Sequence, residues 1–319
     1  MIVVTGAAGM TCTSLLSRIA DRYEFPAIRG IFYLRQPRIK GRNIDYFQAD
    51  LRDPAQTRRA LNDAQTVIIS SVVTGGAAFL AKSFWSQVTD NLIMYSNLFR
   101  ICHEQGVKRI IFVGTASIYQ EIDGLIAEKH LDRNMPPNIR HSGIAAVMRF
   151  TEDIAAMLHQ ESGIDIIILR CANIYGPCDR FNPDFSNVVP ALIRKAFERQ
   201  HPFEVWGSPD VVRDLVYVDD IARLLERIIR APCRGLTVIN AGGGEAVTVG
   251  EMVGTVLAAA QYLNAEVCYC NDRPVTIRRR ELDCSAATQI FGWRPEVSFS
   301  EGVAKTYNWW KDNHQRWDR

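Results

Sequence analysis

The stretch VVTGAAGMTC, residues 3–12, decides the fold expected for this chain. A β-branched run leads into the glycine-rich residues 6–9, and an apolar helical pattern follows. Such a turn lets the backbone approach a pyrophosphate, which then lies at the N-terminus of the helix. Cys12 replaces the third glycine of the usual fingerprint and fits if the first helix stands slightly further from the sheet. The residues predicted to contact a dinucleotide are Gly6, Ala8, Gly9 and Met10.

Short β-branched runs alternate with longer amphipathic segments further along the chain, which is the pattern of βαβ units in a parallel sheet. The candidate strands are Ile2–Thr5, Gly30–Leu34, Asp45–Gln48, Thr66–Ser71, Arg109–Gly114 and Asp165–Cys171. Apolar residues at three- and four-residue spacing predict helices over Phe79–Gln105 and Ala145–Gln160. We therefore expect an α/β fold, a Rossmann-type doubly wound parallel sheet with a smaller C-terminal α/β domain.

A change of texture after Pro177 sets the predicted domain boundary. The turn-rich CDRFNPDF, residues 178–185, is followed by a helix, a strand and a mixture of shorter elements. We predict a nucleotide-binding domain over residues 1–175, to which residues 208–240 return, and a second domain over residues 176–319. Because no linker or repeat separates the two, the second should pack on the first.

Composition excludes several classes of protein. With 47% hydrophobic and 23% charged residues the chain is globular, and its net charge of +2 without basic blocks gives no reason to expect nucleic acid. The eight cysteines contain no CxxC pair and the six histidines are scattered, so we expect reduced thiols and no metal. The chain begins MIVVTG without a targeting pattern and has no membrane-length apolar run, so we expect a cytoplasmic protein without a membrane partner.

The end of the predicted second strand, YLRQPRIKGR at residues 33–42, bears on the choice of dinucleotide. An acid there would accept the ribose 2'-hydroxyl of NAD, whereas a guanidinium pairs with the 2'-phosphate of NADP. Leu34 stands near the acidic position, and Arg35, Arg38, Lys40 and Arg42 follow. We predict NADP(H) in preference to NAD(H), with Arg35 as the contact; the alternative is a solvated basic loop.

Eight segments occur in the order of a known family. They are TGAAGM, ADLRD, DNLIMYSNL, VKRIIFVGTASIY, LRCANIYGP, RDLVYVDDIA, INAGGGEAVTV and FGWRPEVSFSEGV. Over nearly its whole length the chain resembles the extended short-chain dehydrogenases/reductases of the NAD-dependent epimerase/dehydratase group. Residues 173–195 and 205–220 resemble the GDP-fucose synthase-like enzymes that act on 4-keto-6-deoxy sugar nucleotides. The resemblance implies an NAD(P)-dependent oxidoreductase or epimerase whose partner, a nucleoside-diphosphate sugar, is held mainly by the second domain.

The resemblance also assigns residues. Asp50 and Leu51 would lie against the adenine, Ser71 in the loop after the fourth strand, and Asn91 on the long helix near the cofactor. Thr115 matches the family's Ser/Thr that hydrogen-bonds the reacting sugar. Three further positions line the family's nucleotide-diphosphate site: Asn173, Trp206 and Arg213. Purely structural alternatives for these three are a turn residue, a core indole and a surface ion pair with Asp214.

The segment RHSGIAAVMRFTED, residues 140–153, departs from the family. It stands where a Tyr-x-x-x-Lys pair would transfer the proton, the lysine lowering the phenol pKa from about 10 toward neutrality. One alignment puts Ser142 and Ala146 on the two positions, and counting back from Glu152 puts Ile144 and Met148 there. Neither restores the pair. The candidate substitutes are Tyr119, His141, Ser142 and a water held by Thr115.

Three interpretations follow from this departure. The first, which we prefer narrowly, is a nucleotide-sugar oxidoreductase or epimerase with an atypical active site. The second is a catalytically inactive NADP- or sugar-nucleotide-binding regulator or partner protein, and the third is a fold kept only for structure. A 4,6-dehydratase is least favoured, since Ala116 and Ser117 replace that enzyme's Asp-Glu pair. We also expect a homodimer through the two long helices, the alternative being burial of both within one subunit.

Overall fold

The computed structural model describes residues 1–74, 84–232, 234–270 and 278–317. The strands are β1 Ile2–Thr5, β2 Ile28–Phe32, β3 Ile44–Gln48, β4 Thr66–Ile69, β5 Arg109–Thr115, β6 Asp165–Cys171, β7 Asn173–Tyr175, β8 Phe203–Trp206, β9 Val212–Tyr217, β10 Leu236–Ala241, β11 Ala246–Thr248 and β12 Val267–Cys270. The helices are α1 Met10–Ile19, α2 Pro54–Ala60, α3 Phe84–Glu104, α4 Ser142–Ser162, α5 Val188–Phe197, α6 Val218–Arg230, α7 Val249–Ala259, α8 Ser285–Phe291 and α9 Phe299–Trp317.

Seven strands form one parallel sheet in the order β10-β6-β5-β4-β1-β2-β3. The aliphatic runs of the inner strands are buried because helices cover both faces of such a sheet; β1 is buried at every position, whereas β3 at the edge has no fully buried residue. The α/β fold class predicted from the sequence is confirmed. The strand order reverses at β1, which pairs with both β2 and β4, and ligands of such sheets bind at the carboxyl ends of the strands flanking this point.

The second strand differs from the prediction. The sequence suggested Gly30–Leu34, but β2 runs over Ile28–Phe32, where Ile28 is in register with Ile44 of β3. Tyr33 and Leu34 lie beyond the sheet and are 47% and 76% exposed. In the sequence, these two apolar residues extend the pattern of the strand, although neither side chain packs in the core.

Both long helices lie where the sequence predicts them, with somewhat different ends. The helix predicted over 145–160 begins earlier, at Ser142, and ends where Gly163 takes a left-handed φ of +69°. The helix predicted over 79–105 is described from Phe84 to Glu104, and residues 79–83 lie outside the described residues.

Smaller sheets form the remainder of the molecule. A three-stranded sheet, β11-β9-β7, and a two-stranded sheet, β12-β8, are covered by α5, α7 and α9. Their apolar side chains form a second core, separate from the core around the large sheet, with Phe203 and Trp310 among its fully buried members. The helix α6 returns to pack on α1 of the large sheet.

Candidate active site

The glycine turn lies between β1 and α1, at the point where the strand order reverses. Gly6 has a φ of +73°, and a Cβ there would lie 3.1 Å from the Cα and N atoms of Ser71, in the loop after β4. The amide of Gly9 donates to the carbonyl of Gly6 at 2.8 Å, and α1 then begins at Met10 without an acidic residue in its first turn. The first amides of α1 are therefore oriented to attract an anion.

Cys12 stands one turn into α1 as a packing group. Its Sγ donates to the carbonyl of Thr5 at 3.4 Å, and burial raises the pKa of the thiol to about 11. The hydroxyl of Thr5 in turn lies 3.0 Å from that of Ser71. With Cys12 in place of the third glycine, these hydrogen bonds still connect α1 with β1 and β1 with the loop after β4.

Two residues expected near the adenine follow β3. Asp50 forms an ion pair with Arg52 at 2.8 Å, whose hydrogen bonds lower the pKa of the carboxyl, and Leu51 is buried. Asn91 is fully buried in α3 and exchanges hydrogen bonds of 2.9 and 2.8 Å with the amide and carbonyl of Val73. Asn91 therefore fixes the loop after β4 that also contains Ser71.

The arginines after β2 take different directions. Arg42 pairs with Asp21 at 3.6 Å, away from the sheet end, whereas the guanidiniums of Arg35 and Arg38 lie over the ring of Trp317 in α9. Arg35 and Arg38, the two arginines nearest β2, thus contact α9. A fully solvated loop would have no such contact.

A polar group stands at the carboxyl end of β5. The hydroxyl of Thr115 accepts the amide N–H of Ser117 at 3.1 Å and donates to its hydroxyl at 3.2 Å. The Ser117 hydroxyl also accepts a long hydrogen bond of 3.4 Å from Nη1 of Arg280. The structure therefore joins a predicted residue, Thr115, to an arginine that sequence reasoning missed.

Arg280 is the most unusual of these residues. Its side chain is buried, with 8% of the residue exposed, and its Nε and Nη2 have no hydrogen-bond partner within the described residues. Burial, and then the nearby charge of Arg213, lower its pKa to about 10. Unpartnered buried guanidinium N–H groups are costly unless an acceptor is provided, so Arg280 is suited to an anionic ligand.

Arg213 and His141 face the same region. Burial lowers the pKa of Arg213, in β9, to about 10. Burial and then the charges of Arg280 and Arg213 lower the pKa of His141 to about 4. His141 immediately precedes α4, so two cations and a neutral imidazole come together beside Thr115 and Ser117.

Asp214 holds the segment that carries Arg280. Its carboxylate accepts the amide of Leu282 at 2.9 Å and that of Gly243 at 2.6 Å, while the amide of Arg280 donates to Val212 at 3.3 Å. Asp214 is only 3% exposed, and burial raises its pKa to about 6. A surface ion pair, the structural alternative considered for Arg213 and Asp214, does not describe this buried carboxylate.

The α4 positions of the missing pair differ in burial. Ile144 and Met148 are buried on the same face of α4 as Glu152, since residues four apart share a helix face. Ala146 is exposed, and Ser142 is half-buried at the first position of the helix. The alignment counted back from Glu152 thus puts apolar side chains on the inner face.

Tyr119 lies in the interior. Its hydroxyl donates to Oδ1 of Asn240 at 2.7 Å and accepts from Nη1 of Arg170 at 3.0 Å, and the residue is 0% exposed. Burial raises the phenol pKa to about 12. This is the arrangement of a structural hydroxyl, in contrast to the proton-donor role expected from the sequence.

The remaining predicted residues are on the smaller sheets. Asn173 is exposed in β7, beside Leu215 of β9, and Trp206 ends β8 with 48% of its surface exposed. Trp206 is therefore not the core indole that was the alternative to a ligand contact.

The described part of the chain has no cluster of metal-ligating side chains and no helix of membrane-spanning character. There, no three His, Cys, Asp or Glu side chains come together in a way that could hold a metal ion, and the seven cysteines are free thiols; Cys233 lies outside it. None of the described helices is long and apolar enough to cross a bilayer.

Comparison with known proteins identifies the family. The chain is 27% identical to UDP-glucuronate 4-epimerase of Thermodesulfobacterium geofontis, over 86% of this chain and 81% of that protein. It is 29% identical to GDP-L-fucose synthase 1 of Arabidopsis thaliana, over 70% and 69%. The structure of UDP-glucose 4-epimerase from Thermotoga maritima superposes with a TM-score of 0.87 at 22% identity, covering 98% and 99% of the two chains. The model of the NAD dependent epimerase/dehydratase family matches residues 2–242, and the chain belongs to that family.

Proposed function

We propose that this protein binds NADP(H) and a nucleoside-diphosphate sugar, and that it acts as a reductase or epimerase with an atypical proton donor. The observation that carries the proposal is Arg280, a buried guanidinium with two N–H-bearing atoms unpartnered within the described residues. It lies beside Arg213 and is hydrogen-bonded to Ser117 at the carboxyl end of β5. A diphosphate supplies acceptors for the unpartnered atoms of Arg280 and a negative charge beside both guanidiniums.

The residues around the glycine turn fit a nicotinamide dinucleotide. The backbone of Gly6 and Gly9 leaves no Cβ in the way of a pyrophosphate, and α1 presents its first amides from Met10 onward. Arg35 provides the guanidinium suited to a 2'-phosphate, and Asn91 holds the loop after β4 in place. When bound, the nicotinamide supplies or accepts a hydride.

The relatives support a sugar nucleotide as substrate. Those that match this chain are named as acting on UDP-, GDP- and dTDP-linked sugars, and the dTDP-4-dehydro-6-deoxy-D-allose reductase of Streptomyces matches 97% of it. We infer a 4-keto-6-deoxy sugar, with Thr115 and Ser117 hydrogen-bonded to the reacting oxygen. Asn173 and Trp206 would then line the nucleotide end of the site.

The proton donor is the open part of this chemistry, since α4 contains neither tyrosine nor lysine. His141 is the strongest substitute, because it immediately precedes α4 and is affected by the charges of both Arg280 and Arg213. Burial is the main cause of its lowered pKa, and a diphosphate bound by the two arginines would remove the additional effect of their charges, so the imidazole would gain a proton more readily with the substrate bound. The hydroxyl of Tyr119 is engaged in the interior, by hydrogen bonds with Asn240 and Arg170.

One observation favours an inactive binder as the second candidate. Ile144 and Met148 are buried on the stripe that would carry the phenol and the ammonium. Because general acid catalysis contributes about 10²- to 10⁴-fold of a rate enhancement, a protein without its acid keeps its binding sites while turnover becomes slow.

The test combines binding with turnover. NADPH and NADH are titrated by nicotinamide fluorescence, and NADPH oxidation is then followed with GDP-, dTDP-, CDP- and UDP-4-keto-6-deoxy sugars. Oxidation with one sugar supports the reductase. Tight binding of cofactor and sugar nucleotide without turnover supports the inactive binder, and absence of sugar-nucleotide binding contradicts both.

Arg280→Gln tests the observation on which the proposal rests. Because it removes charge-assisted hydrogen bonds to the diphosphate, we expect the Kd for the bound sugar nucleotide to rise by about 10- to 100-fold while the NADPH Kd stays unchanged. The control is Arg279→Gln, since Arg279 is exposed and paired with Glu281 at 2.6 Å. Equal effects of the two variants, measured by calorimetry, would contradict the assignment.

We also propose a homodimer formed through α3 and α4. Large apolar side chains remain exposed on both helices: Trp85, Ile93, Phe150 and Met157. Exposed apolar groups on adjoining helices are typical of a subunit interface.

A further inference from the structure

The last described residue, Trp317 at the end of α9, lies against the loop that follows β2. Its ring centroid is 4.0 Å from Cζ of Arg38 and 4.9 Å from Cζ of Arg35, within the range of cation–π contacts. Both arginines come from the nucleotide-binding part of the chain, whereas α9 belongs to the second hydrophobic core. The indole of Trp317 therefore contacts the guanidiniums of two arginines located just after β2, the strand whose end is expected to contact the adenosine ribose.

The indole is held in place by its own contacts. Trp317 is 9% exposed, and its Nε1 donates to the carbonyl of Asp179 at 2.8 Å. Trp309 meets it edge-on, with ring centroids 4.9 Å apart and an interplanar angle of 85°. Two residues beyond Asp179, Phe181 stacks on Trp310 at 4.1 Å. Because the ring is fixed by a hydrogen bond and by packing, it can orient a flexible side chain placed on it.

The two guanidiniums form a donor pair. Within the described residues, neither Arg35 nor Arg38 makes a hydrogen bond or an ion pair besides its contact with Trp317. Burial, and then the charge of Arg38, lower the pKa of Arg35, so the two cations repel each other. A guanidinium stacked by its face keeps its in-plane N–H groups free, and a phosphate dianion between two of them would both accept these bonds and relieve the repulsion.

We propose that Trp317 is a positioning residue for cofactor choice, holding Arg35 and Arg38 as the donor pair for the 2'-phosphate of NADP(H). This inference rests on the proposed function, in which Arg35 alone was assigned to that phosphate. It adds Arg38, and it places the determinant of NADP preference partly in the C-terminal helix. Removal of the Trp317 indole would then weaken the preference of the protein for NADPH over NADH, even with both arginines present.

The experiment measures two Kd values for each variant, one for NADPH and one for NADH, by nicotinamide fluorescence. Trp317→Leu should raise the NADPH Kd by about tenfold through loss of the stacked orientation, while the NADH Kd changes by less than about twofold. Trp317→Phe, which keeps an aromatic face, should show a smaller rise. The control is Tyr307→Leu, which removes an aromatic side chain of the same helix whose ring contact is with Phe197.

A second background separates positioning from general stability. In the double variant Arg35→Gln/Arg38→Gln, adding Trp317→Leu should leave the NADPH Kd unchanged, because the indole acts through the two arginines. An equal rise in both Kd values for Trp317→Leu, or an unaltered NADPH preference, would overturn the inference while NADPH preference of the wild type stands. A wild type that binds NADPH no better than NADH would overturn the inference and the cofactor assignment together. Calorimetric binding of UDP-glucose to the same variants reports on the sugar-nucleotide site separately.

Discussion

Two positive charges and a histidine define the chemistry available beside Thr115. Burial first, and then the charges of Arg280 and Arg213, favour the neutral imidazole of His141 in the free protein. A diphosphate bound to the two arginines would remove the part of this effect that comes from their charges. At the scale of single residues, we propose His141 as the substitute for the missing tyrosine, with a protonation state that responds to binding.

Proton uptake on ligand binding tests this dependence. Burial is the main cause of the lowered pKa of His141, which is about 4 in the free protein, and the charges of Arg280 and Arg213 lower it further. Neutralisation of the two arginines should therefore raise this pKa part of the way toward its ordinary value of about 6.5. The complex then holds more protons than the free protein at pH values above about 4, so affinity rises as the pH falls through this window. We expect calorimetry of UDP-glucose binding at pH 5.5, in buffers of different ionisation enthalpy, to show uptake of a fraction of a proton.

His141→Asn is the matched variant, since asparagine is also suited to the position before a helix. It should bind UDP-glucose without proton uptake. Uptake of the same size in His141→Asn would assign the proton to another group and remove His141 as the candidate donor.

Arg280 illustrates what the sequence could predict at this scale. It is the third of three consecutive arginines, and composition alone does not distinguish them. The amide of Val212 donates to the carbonyl of Arg278, and the amide of Arg280 donates to the carbonyl of Val212, so this segment runs beside β9. Arg278 and Arg279 are both exposed while Arg280 is buried, so strict alternation would not have singled out Arg280.

At the scale of elements, α4 is joined to the sheet by a buried ion pair. Glu152 accepts two hydrogen bonds from Arg170 of β6, at 3.0 and 2.9 Å, and both residues are 5% exposed. Arg170 also donates hydrogen bonds to the hydroxyl of Tyr119 and to the carbonyl of Glu128. The helix α4, which has neither tyrosine nor lysine, is thus fixed in register against β6.

Glu152→Ala should lower the free energy of unfolding by about 3 to 5 kcal/mol, because it leaves the Arg170 guanidinium buried without its carboxylate. Asp153→Ala is the control: Asp153 pairs with Arg133 at 2.9 Å, but its side chain is 53% exposed, so we expect a loss below about 1 kcal/mol. Urea unfolding followed by circular dichroism measures both. Similar losses in the two variants would mean that the Glu152–Arg170 pair does not stabilise the fold as a buried pair.

Element boundaries were predictable where burial and periodicity agree. Two strands match their predicted ranges: β1, which is buried at every position, and β6, which is buried at every position after Asp165. The strand β2 differs from its predicted range because Tyr33 and Leu34 are apolar but exposed. The parallel pairing of β12 with β8 joins residues about sixty positions apart and leaves no periodic signal in either segment. Local sequence patterns therefore predict which segments form strands and helices. The ends of these elements and the pairing of the strands depend on long-range packing, which the local patterns do not show.

At the scale of the whole molecule, the long helix α4 has more apolar surface than one subunit uses. Its inner stripe contains Ile144 and Met148, which are buried, while Ala146, Phe150 and Met157 are exposed. An amphipathic helix of a monomer needs only one apolar stripe, so these exposed apolar side chains support the proposed homodimer. The spacing of four and seven residues places them along one side of the helix.

Met157→Glu should convert the proposed dimer to a monomer, because it buries an unpaired carboxylate at the helix contact. Met157 is 65% exposed in the single chain, so the substitution should leave the subunit itself folded. Leu263→Glu, at a site 81% exposed after α7, adds the same charge elsewhere and should leave the dimer intact. Analytical ultracentrifugation should give about twice the chain mass of 36.0 kDa for the wild type and for Leu263→Glu, and the chain mass for Met157→Glu. A wild type that sediments as a monomer at micromolar concentration would contradict the interface, and the exposed stripe on α4 would then need another partner.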